Sequence, residues 1–341
     1  MPTRNKNISS AEVVLSVIVP FKNSEKYILQ TLMPFLHEQE IELVLVDDAS
    51  TDNSNKIINE FVEKSSVKIQ RVTGSGLGPG NARNLGLRHS HGSYIAFVDS
   101  DDLVEVGVLK DICCRMTKAQ CDLAIFNHRR LYRTGVTREN LRTDLLQSRE
   151  LCCNDESKFD LIYNFNVAWN KVYKKSFIKS HGLEFPIGIY EDIPWAILAL
   201  VLAPRVLVES QMAYTYRQHP ESTLKEKGEA HLVILDQYQR AIDSMQSLGV
   251  NKTWVSLTKI RAIEHAFLIS YKRSRMPYST RGKLFYKLKE FVFLNSCFWE
   301  IVKSKRFSKT EKISLFIRSR LLLETPFFKK KFRRFFRKLS V

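Results

Sequence analysis

Three carboxylates fall within four positions at Asp99-Ser100-Asp101-Asp102, directly after the apolar run Tyr94-Ile95-Ala96-Phe97-Val98. Like charges this close repel, and burying them unpaired is costly, so a strand that ends this way is a poor builder of core. Clustered hard oxygen ligands instead suit a divalent cation such as Mn²⁺ or Mg²⁺. The stretch therefore predicts a metal site that receives a diphosphate. Acids recur at Asp47-Asp48, after the apolar residues 41–46, and at Glu191-Asp192, before another apolar run. Asp192 stands where a helix would begin, and the helix dipole favours its ionised form; Glu191 beside it pushes the other way.

These residues need elements to carry them. Residues 13–19 are continuously apolar, close at Pro20, and predict a fully buried strand. Ser24 can cap a helix through about His37, with Tyr27, Ile28, Leu32, Phe35 and Leu36 on one face. Strands over 41–46 and 67–72 flank a second helix, which starts at Ser50 or Asp52 and carries Ile57, Ile58, Phe61 and Val62. A glycine-rich stretch from Gly74 leads to Pro79, which suits the first turn of a helix running to about His89. A fourth strand then ends at Asp99.

Strands alternating with helices predict an α/β fold with a mostly parallel sheet covered on both faces. Such sheets bind ligands at the carboxyl ends of their strands. Pro20 to Asn23, Asp47-Asp48 and Asp99 to Asp102 are three such ends. Further on, 109–116 reads as helix, 123–126 as strand, and the polar residues 129–154 as a loop or insertion. Order returns over 167–172, 189–203 and 206–216. Asp102 is expected to cap the segment starting at Leu103. A boundary near Gly228 divides a first domain, 1–227, from a helical region, 228–341. The first domain splits into a nucleotide-binding half over about 13–102 and an acceptor half over about 103–227.

Four ordered motifs carry a resemblance: Val17-Ile18-Val19-Pro20-Phe21-Lys22-Asn23, Val46-Asp47-Asp48-Ala49-Ser50-Thr51-Asp52, Gly80-Asn81-Ala82-Arg83-Asn84 and Phe97-Val98-Asp99-Ser100-Asp101-Asp102. Their order and spacing resemble those of family 2 glycosyltransferases, across about residues 13–223. The DxD alone would be weak. The resemblance implies the GT-A fold and an inverting, metal-dependent transfer from a nucleotide sugar, with a UDP-sugar the expected donor. It places Pro20, Phe21, Asn23, Asn81 and Ser100 around the nucleotide, Asp48 on the base, and Arg83 near the nucleotide and the carboxylates. Asp99 would sit near the ribose and the metal, and Asp101 would ligate Mn²⁺ or Mg²⁺ on the diphosphate. Tyr190-Glu191-Asp192-Ile193-Pro194-Trp195 resembles the family's Glu-Asp motif, which makes Asp192 the general base. Residues 214–223 resemble the closing segment of such domains, with Arg217 and His219 in reach of diphosphate or metal. Trp169 is open between a core residue and a sugar-stacking surface.

The chain also departs from the pattern. Lys22 stands where many members have tyrosine, and Ala49 where glycine is commoner. The Gln-x-x-Arg-Trp signature of processive synthases is absent, since Gln237-Tyr238-Gln239-Arg240 leads to Ala241. Transfer of one or a few sugars is therefore expected.

Charge is distributed unevenly. Of 341 residues with a formal net charge of +17, residues 251–341 hold 24 Lys/Arg against 5 Asp/Glu, and the first 250 hold 29 against 31. Phenylalanines at 328, 332, 335 and 336 follow helical spacing among seven Lys/Arg, a pattern that suits an interfacial helix on an anionic leaflet. Nucleic acid is the competing partner for basic residues with aromatics, and membrane is preferred because it accounts for both halves of the chain. Six cysteines show no C-x-x-C spacing, which suits reduced thiols in a cytoplasmic protein. Residues 1–11 lack a signal-peptide core, and no apolar run is long enough to span a bilayer. The expected setting is the inner face of the cell membrane, with a glycan or lipid-linked acceptor. A non-catalytic scaffold of the same fold is the alternative.

Overall fold

Leu15–Phe21 (β1) is buried along its whole length, because it is paired on both edges and covered on both faces. The computed structural model describes residues 14–152, 156–219, 228–271 and 276–296. Parallel to β1 run Ile41–Asp47 (β2) on one side and Tyr94–Phe97 (β4) on the other, with Lys68–Thr73 (β3) beyond β2. The connecting helices are Ile28–Leu32 (α1), Ser54–Lys64 (α2) and Pro79–His89 (α3). These four strands are parallel, as the strand–helix alternation predicts, with their carboxyl ends on one side.

Beyond β4 the sheet becomes mixed. Leu103–Val104 (β5) is followed by helix Val106–Ala119 (α4), then Leu123–Tyr132 (β6), Thr137–Glu139 (β7) and Arg149–Cys152 (β8). Lys171–Lys174 (β9), helices Lys175–Ser180 (α5) and Asp192–Leu202 (α6), and the long strand Arg205–Gln218 (β10) complete it. The order is β3-β2-β1-β4-β9-β6-β10-β5, with β7 on β6 and β8 on β10. β9 lies antiparallel to both β4 and β6, while β10 runs parallel to β6. The core gathers Val17, Val19, Leu43, Leu45, Phe61, Ala96, Leu109, Phe126 and Trp169 under the helices.

Three local expectations are corrected. The helix expected from Ser24 to His37 is only α1 plus a 3-10 turn at Met33–Phe35, because Pro34 has no N–H to give the carbonyl four residues back. Residues 129–152 are not simply loop: β6 runs on to Tyr132, β7 folds back on it, and β8 pairs with β10. All three residues of β7 are exposed, so no apolar period marks it. Asp102 does not cap a helix, since Leu103–Val104 is strand and α4 begins at Val106 after Glu105.

The chain divides into the units Met1–Pro220 and Glu221–Val341. In the second, Ile234–Ser247 (α7), Lys252–Tyr271 (α8) and Tyr278–Leu294 (α9) are helices. Tyr238 of α7 meets His265 of α8, Oη to Nδ1 at 3.1 Å, and Lys287 of α9 pairs with Asp236 of α7 at 2.7 Å. Among the described residues no helix is long and apolar enough to cross a membrane. The amphipathic tail expected at the membrane lies outside the described residues.

Candidate active site

The site is built from the ends of three parallel strands and the start of one helix. β1 extends through Phe21, so Pro20 and Phe21 belong to the strand rather than to a loop, and the Phe21 ring is in the core. The Phe21 carbonyl accepts the Asp48 N–H at 2.8 Å. The loop proper starts at Lys22-Asn23. Asn23 takes a left-handed backbone (φ 51°) that asparagine tolerates, and its Oδ1 accepts the Thr51 N–H at 2.7 Å. Ala49 lies in the same region with φ 65°, where glycine would sit without strain.

Asp48 is 4% exposed. Its Oδ2 accepts the Gly78 N–H at 2.9 Å, while Oδ1 is buried with no hydrogen-bond partner. Gly78 has φ 94°, which explains why glycine holds that position. A buried carboxylate oxygen without a donor is a costly arrangement unless something arrives to donate.

The acidic cluster after β4 separates into three environments. Asp99 is half-buried and accepts Nη2 of Arg83 at 2.7 Å. Burial and the Asp101 charge push its carboxyl up, and Arg83 pulls it back. Asp101 Oδ2 meets Nε2 of His219 at 2.5 Å. Asp102 is fully enclosed, with Oδ2 accepting the Tyr214 hydroxyl and Oδ1 the Arg217 N–H, both at 2.7 Å. Burial and the charges of Asp101 and Asp99 hold its carboxyl well above the usual range. It anchors the loop to β10 instead of facing a ligand. Ser100 binds Ser24, Oγ to Oγ at 2.7 Å, tying the first strand-end loop to the cluster. Among the described residues no three His, Cys, Asp or Glu side chains converge on one point.

Helix α3 joins this cluster to Asp192. Arg83 gives Nη1 to Glu191 at 2.6 Å while Nη2 holds Asp99. Burial opposes its charge, but Asp99, Glu191 and Asp192 keep it protonated. Asn84 exchanges two hydrogen bonds with the Phe185 backbone, at 2.8 and 2.9 Å. A Cβ on Gly80 would stand 2.8 Å from both Glu191 Cγ and the Pro186 carbonyl oxygen, so glycine is required there. Asn81 is half-buried in the same first turn. Asp192 is the first residue of α6. Burial, then the Glu191 charge, pushes its carboxyl up to about 8 against the pull of Arg83 and Lys171. The repulsive neighbour and burial outweigh the helix dipole. Lys171 is buried on carbonyl oxygens, with Nζ 2.7 Å from Val167 O, and burial pushes it down to about 7.

The geometry thus brings together Asp48, Arg83, Asp99, Asp101, His219 and Asp192 around the sheet's carboxyl edge and the start of α6. It removes the Phe21 side chain to the core. Trp169 is 4% exposed and stacked on Tyr214 at 4.3 Å, so it too is core. Tyr27, packed 4.8 Å from the His219 ring and 4.9 Å under the Arg217 guanidinium, carries no sequence signal of its role. Glu191 was legible only as a neighbour of Asp192, and Tyr214 only as part of an apolar strand.

The model of glycosyl transferase family 2 matches residues 16–181. That stretch, just under half of the chain, is similar to the family. It is 30% identical over 212 residues to the poly(ribitol-phosphate) beta-N-acetylglucosaminyltransferase TarS of Staphylococcus aureus, covering 59% of this chain and 35% of that relative. The chain thus spans about a third of that relative's length. The crystal structure of S. aureus TarS 1–349 in complex with UDP-GlcNAc superposes with TM-score 0.72 at 21% identity, over 90% of this chain and 88% of that one. The mannosyltransferase PcManGT from Pyrobaculum calidifontis, in complex with GDP-Man and Mn²⁺, gives TM-score 0.52 at 14% identity, over 94% and 83% of the two chains. At these identities the superpositions establish the GT-A fold.

Proposed function

We propose that the protein transfers a sugar, with inversion, from a nucleotide sugar to a hydroxyl of a glycan or lipid-linked surface polymer. The observation that carries this reading is Arg83, which links the strand-end acid Asp99 to the Glu191-Asp192 pair through one buried guanidinium. Donor-side and acceptor-side acids are thereby held as one unit. The unpartnered Asp48 Oδ1 suits an N–H on the edge of a nucleobase, and it favours a UDP-sugar because uracil presents one such N–H between two carbonyls. Pro20, Phe21 and Asn23 act through the backbone that sets Asp48 and the loop around it, and Asn81 and Ser100 border the same space.

Asp101 and His219, in contact with one another, would supply one carboxylate and one imidazole to a Mn²⁺ or Mg²⁺ ion, with the diphosphate and water completing its coordination, while Asp99 is held by Arg83. Bound there, the cation would act as a Lewis acid on the departing diphosphate. Asp192 takes the proton from the acceptor hydroxyl as its oxygen attacks the anomeric carbon. The bond from that carbon to the diphosphate oxygen breaks on the opposite face. Arg83 holds Asp99 and Glu191 in place during this exchange. The relative's printed name supports a cell-surface polymer as acceptor. The basic tail, residues 315–341, would hold the protein against an anionic membrane; deletion after Thr325 should weaken liposome binding and spare transfer to soluble acceptors.

The test is turnover of a panel of UDP-, GDP- and CDP-sugars by the purified protein, with Mn²⁺ and with EDTA. Release of UDP that needs Mn²⁺ is the expected result. Release of no nucleotide from any donor overturns the reading.

A further inference from the structure

The strands β6 and β10 carry a polar and aromatic cluster outside the donor site. In the β6–β10 register His128 lies beside Tyr214 and Arg130 beside Tyr216. Trp169 packs on Tyr214 at 4.3 Å, on His128 at 4.8 Å and on Tyr216 at 5.4 Å. Phe165 stacks on His128 at 5.6 Å and carries the Arg130 guanidinium 5.7 Å above its ring. Through Tyr214, whose hydroxyl accepts the Asp99 N–H at 3.1 Å and donates to Asp102, this wall is continuous with the donor site.

Several polar atoms of the cluster have no hydrogen-bond partner. His128 is 0% exposed and neither ring nitrogen has one. Asn164, just before Phe165, is 2% exposed with both amide atoms unmatched, and Nε of Arg130 is buried and unmatched. Arg129 pairs with Glu105 at 3.0 Å, Arg142 with Asp144 at 3.1 Å and Arg115 with Glu209, while Arg138, opposite Arg130 on β7, lies over the Tyr132 ring at 5.6 Å and adds to the positive charge here. Among the described residues no carboxylate lies within ion-pair distance of Arg130, which is partly exposed, as are Phe165 and Tyr216. The local field is positive: burial and the charges of Arg130 and Lys171 push His128 down to about 3, so it stays neutral and can only hydrogen-bond. An oriented guanidinium on an aromatic face, with no internal anion, is made for a planar or tetrahedral oxyanion.

We propose that Arg130 on Phe165 is an acceptor subsite for a phosphate group, so that the hydroxyl presented to Asp192 belongs to a phosphate-bearing polyol or glycan. This rests on the glycosyl-transfer reading. The Arg130 guanidinium supplies the charge-assisted contacts and the partly exposed Phe165 and Tyr216 rings flank it, while His128, Asn164 and Trp169 are the core behind them. The phosphate could be that of a soluble polymer or of a lipid headgroup.

Equilibrium titrations of the full chain saturated with UDP and Mn²⁺ separate the possibilities. Glycerol 3-phosphate should bind the wild type better than glycerol does, and Arg130→Gln should weaken it about 10-fold or more, with Arg130→Lys in between. Unchanged UDP affinity in both variants confirms that they are folded. Vesicles of phosphatidylglycerol are titrated into the same proteins; because each carries the same tail, only the difference between wild type and Arg130→Gln counts. Such a difference assigns the phosphate to a lipid headgroup; its absence, with glycerol 3-phosphate still weakened, assigns it to a soluble polymer. Equal binding of glycerol 3-phosphate by wild type and Arg130→Gln, or no preference over glycerol, overturns the inference. Failure of the wild type to bind UDP strikes the donor-site reading instead.

Discussion

Asp101 and His219 share a hydrogen bond of 2.5 Å, Oδ2 to Nε2, across 118 positions of sequence. The contact joins the loop after β4 to the residue that follows β10, and so ties the acidic cluster to that strand's end. In the proposed function this carboxylate and imidazole would be two of the cation's donors.

Metal removal follows from that pair. EDTA should abolish nucleotide release, and Mn²⁺ should restore it. His219→Ala should raise the Mn²⁺ concentration needed for half-maximal turnover by about 10- to 100-fold, the range seen when a metal site loses a supporting imidazole. Asp101→Asn should do the same or more. Turnover that is equal with and without EDTA would rule out the metal at this position.

The raised carboxyl of Asp192 sets a pH dependence. A base must be ionised, and with its acidity near 8 the fraction ionised climbs as pH rises from 6 to 8. The rate at low donor and acceptor concentration should therefore rise about tenfold per pH unit below 8 and level above it. Stability runs the other way. The unfolded chain ionises Asp192 near pH 4, so between about 4 and 8 the folded state holds a proton that the unfolded state has lost, and stability falls as pH rises through that window. Asp192→Asn should then raise the melting temperature at pH 8 while lowering turnover by about 10²- to 10⁴-fold. Both quantities are read on one preparation, by nucleotide release and by calorimetry.

Much of this site was legible because its strand-end acids follow apolar strands and Asp192 opens an apolar helix, and each switch between apolar and acidic is a local signal. Asp47-Asp48 and Asp99 to Asp102 are visible in this way, and Pro79 with His89 marks α3 to the residue. What sequence conceals is long-range pairing. Arg83 finds Glu191 across 108 positions, and Asp102 finds Tyr214 across 112, and neither partner differs in type from an ordinary surface acid or core aromatic. Asp102 thus read as a cap when it is an anchor. The β6–β7 hairpin was concealed for another reason: its outer strand is polar and solvent-facing, so no periodicity distinguishes it from loop.

Arg83 should be the least replaceable side chain of the donor half. Arg83→Met leaves Asp99 and Glu191 as unpaired buried or half-buried carboxylates, a loss of about 3–5 kcal/mol. Arg83→Lys should recover little, since one ammonium cannot serve two carboxylates in the fork geometry of a guanidinium. Adding Glu191→Gln to Arg83→Met should return part of the loss, because one orphaned charge is gone. Denaturant unfolding of the wild type, Arg83→Met, Glu191→Gln and the double variant gives the coupling as a double-mutant cycle. Additive losses would show that Arg83 and Glu191 act independently, contrary to the 2.6 Å contact.

Gly80 tests whether α3 positions the base. Its missing Cβ leaves room for Glu191 and the Pro186 carbonyl, both 2.8 Å from where that carbon would stand. The Glu191 side chain can rotate, but the Pro186 carbonyl is backbone, so Gly80→Ala must move the loop of residues 186–191 and Asp192 with it. Displacements of about 1 Å at a reacting group can cost about 10²-fold in rate. Gly80→Ala should therefore reduce transfer on that scale, while donor binding through Asp48 and Asp101 stays within about threefold. Titration of UDP against the variant, beside its turnover, separates the two effects: a parallel loss of both would mean that α3 as a whole had shifted, and unchanged turnover would mean that the loop does not position Asp192.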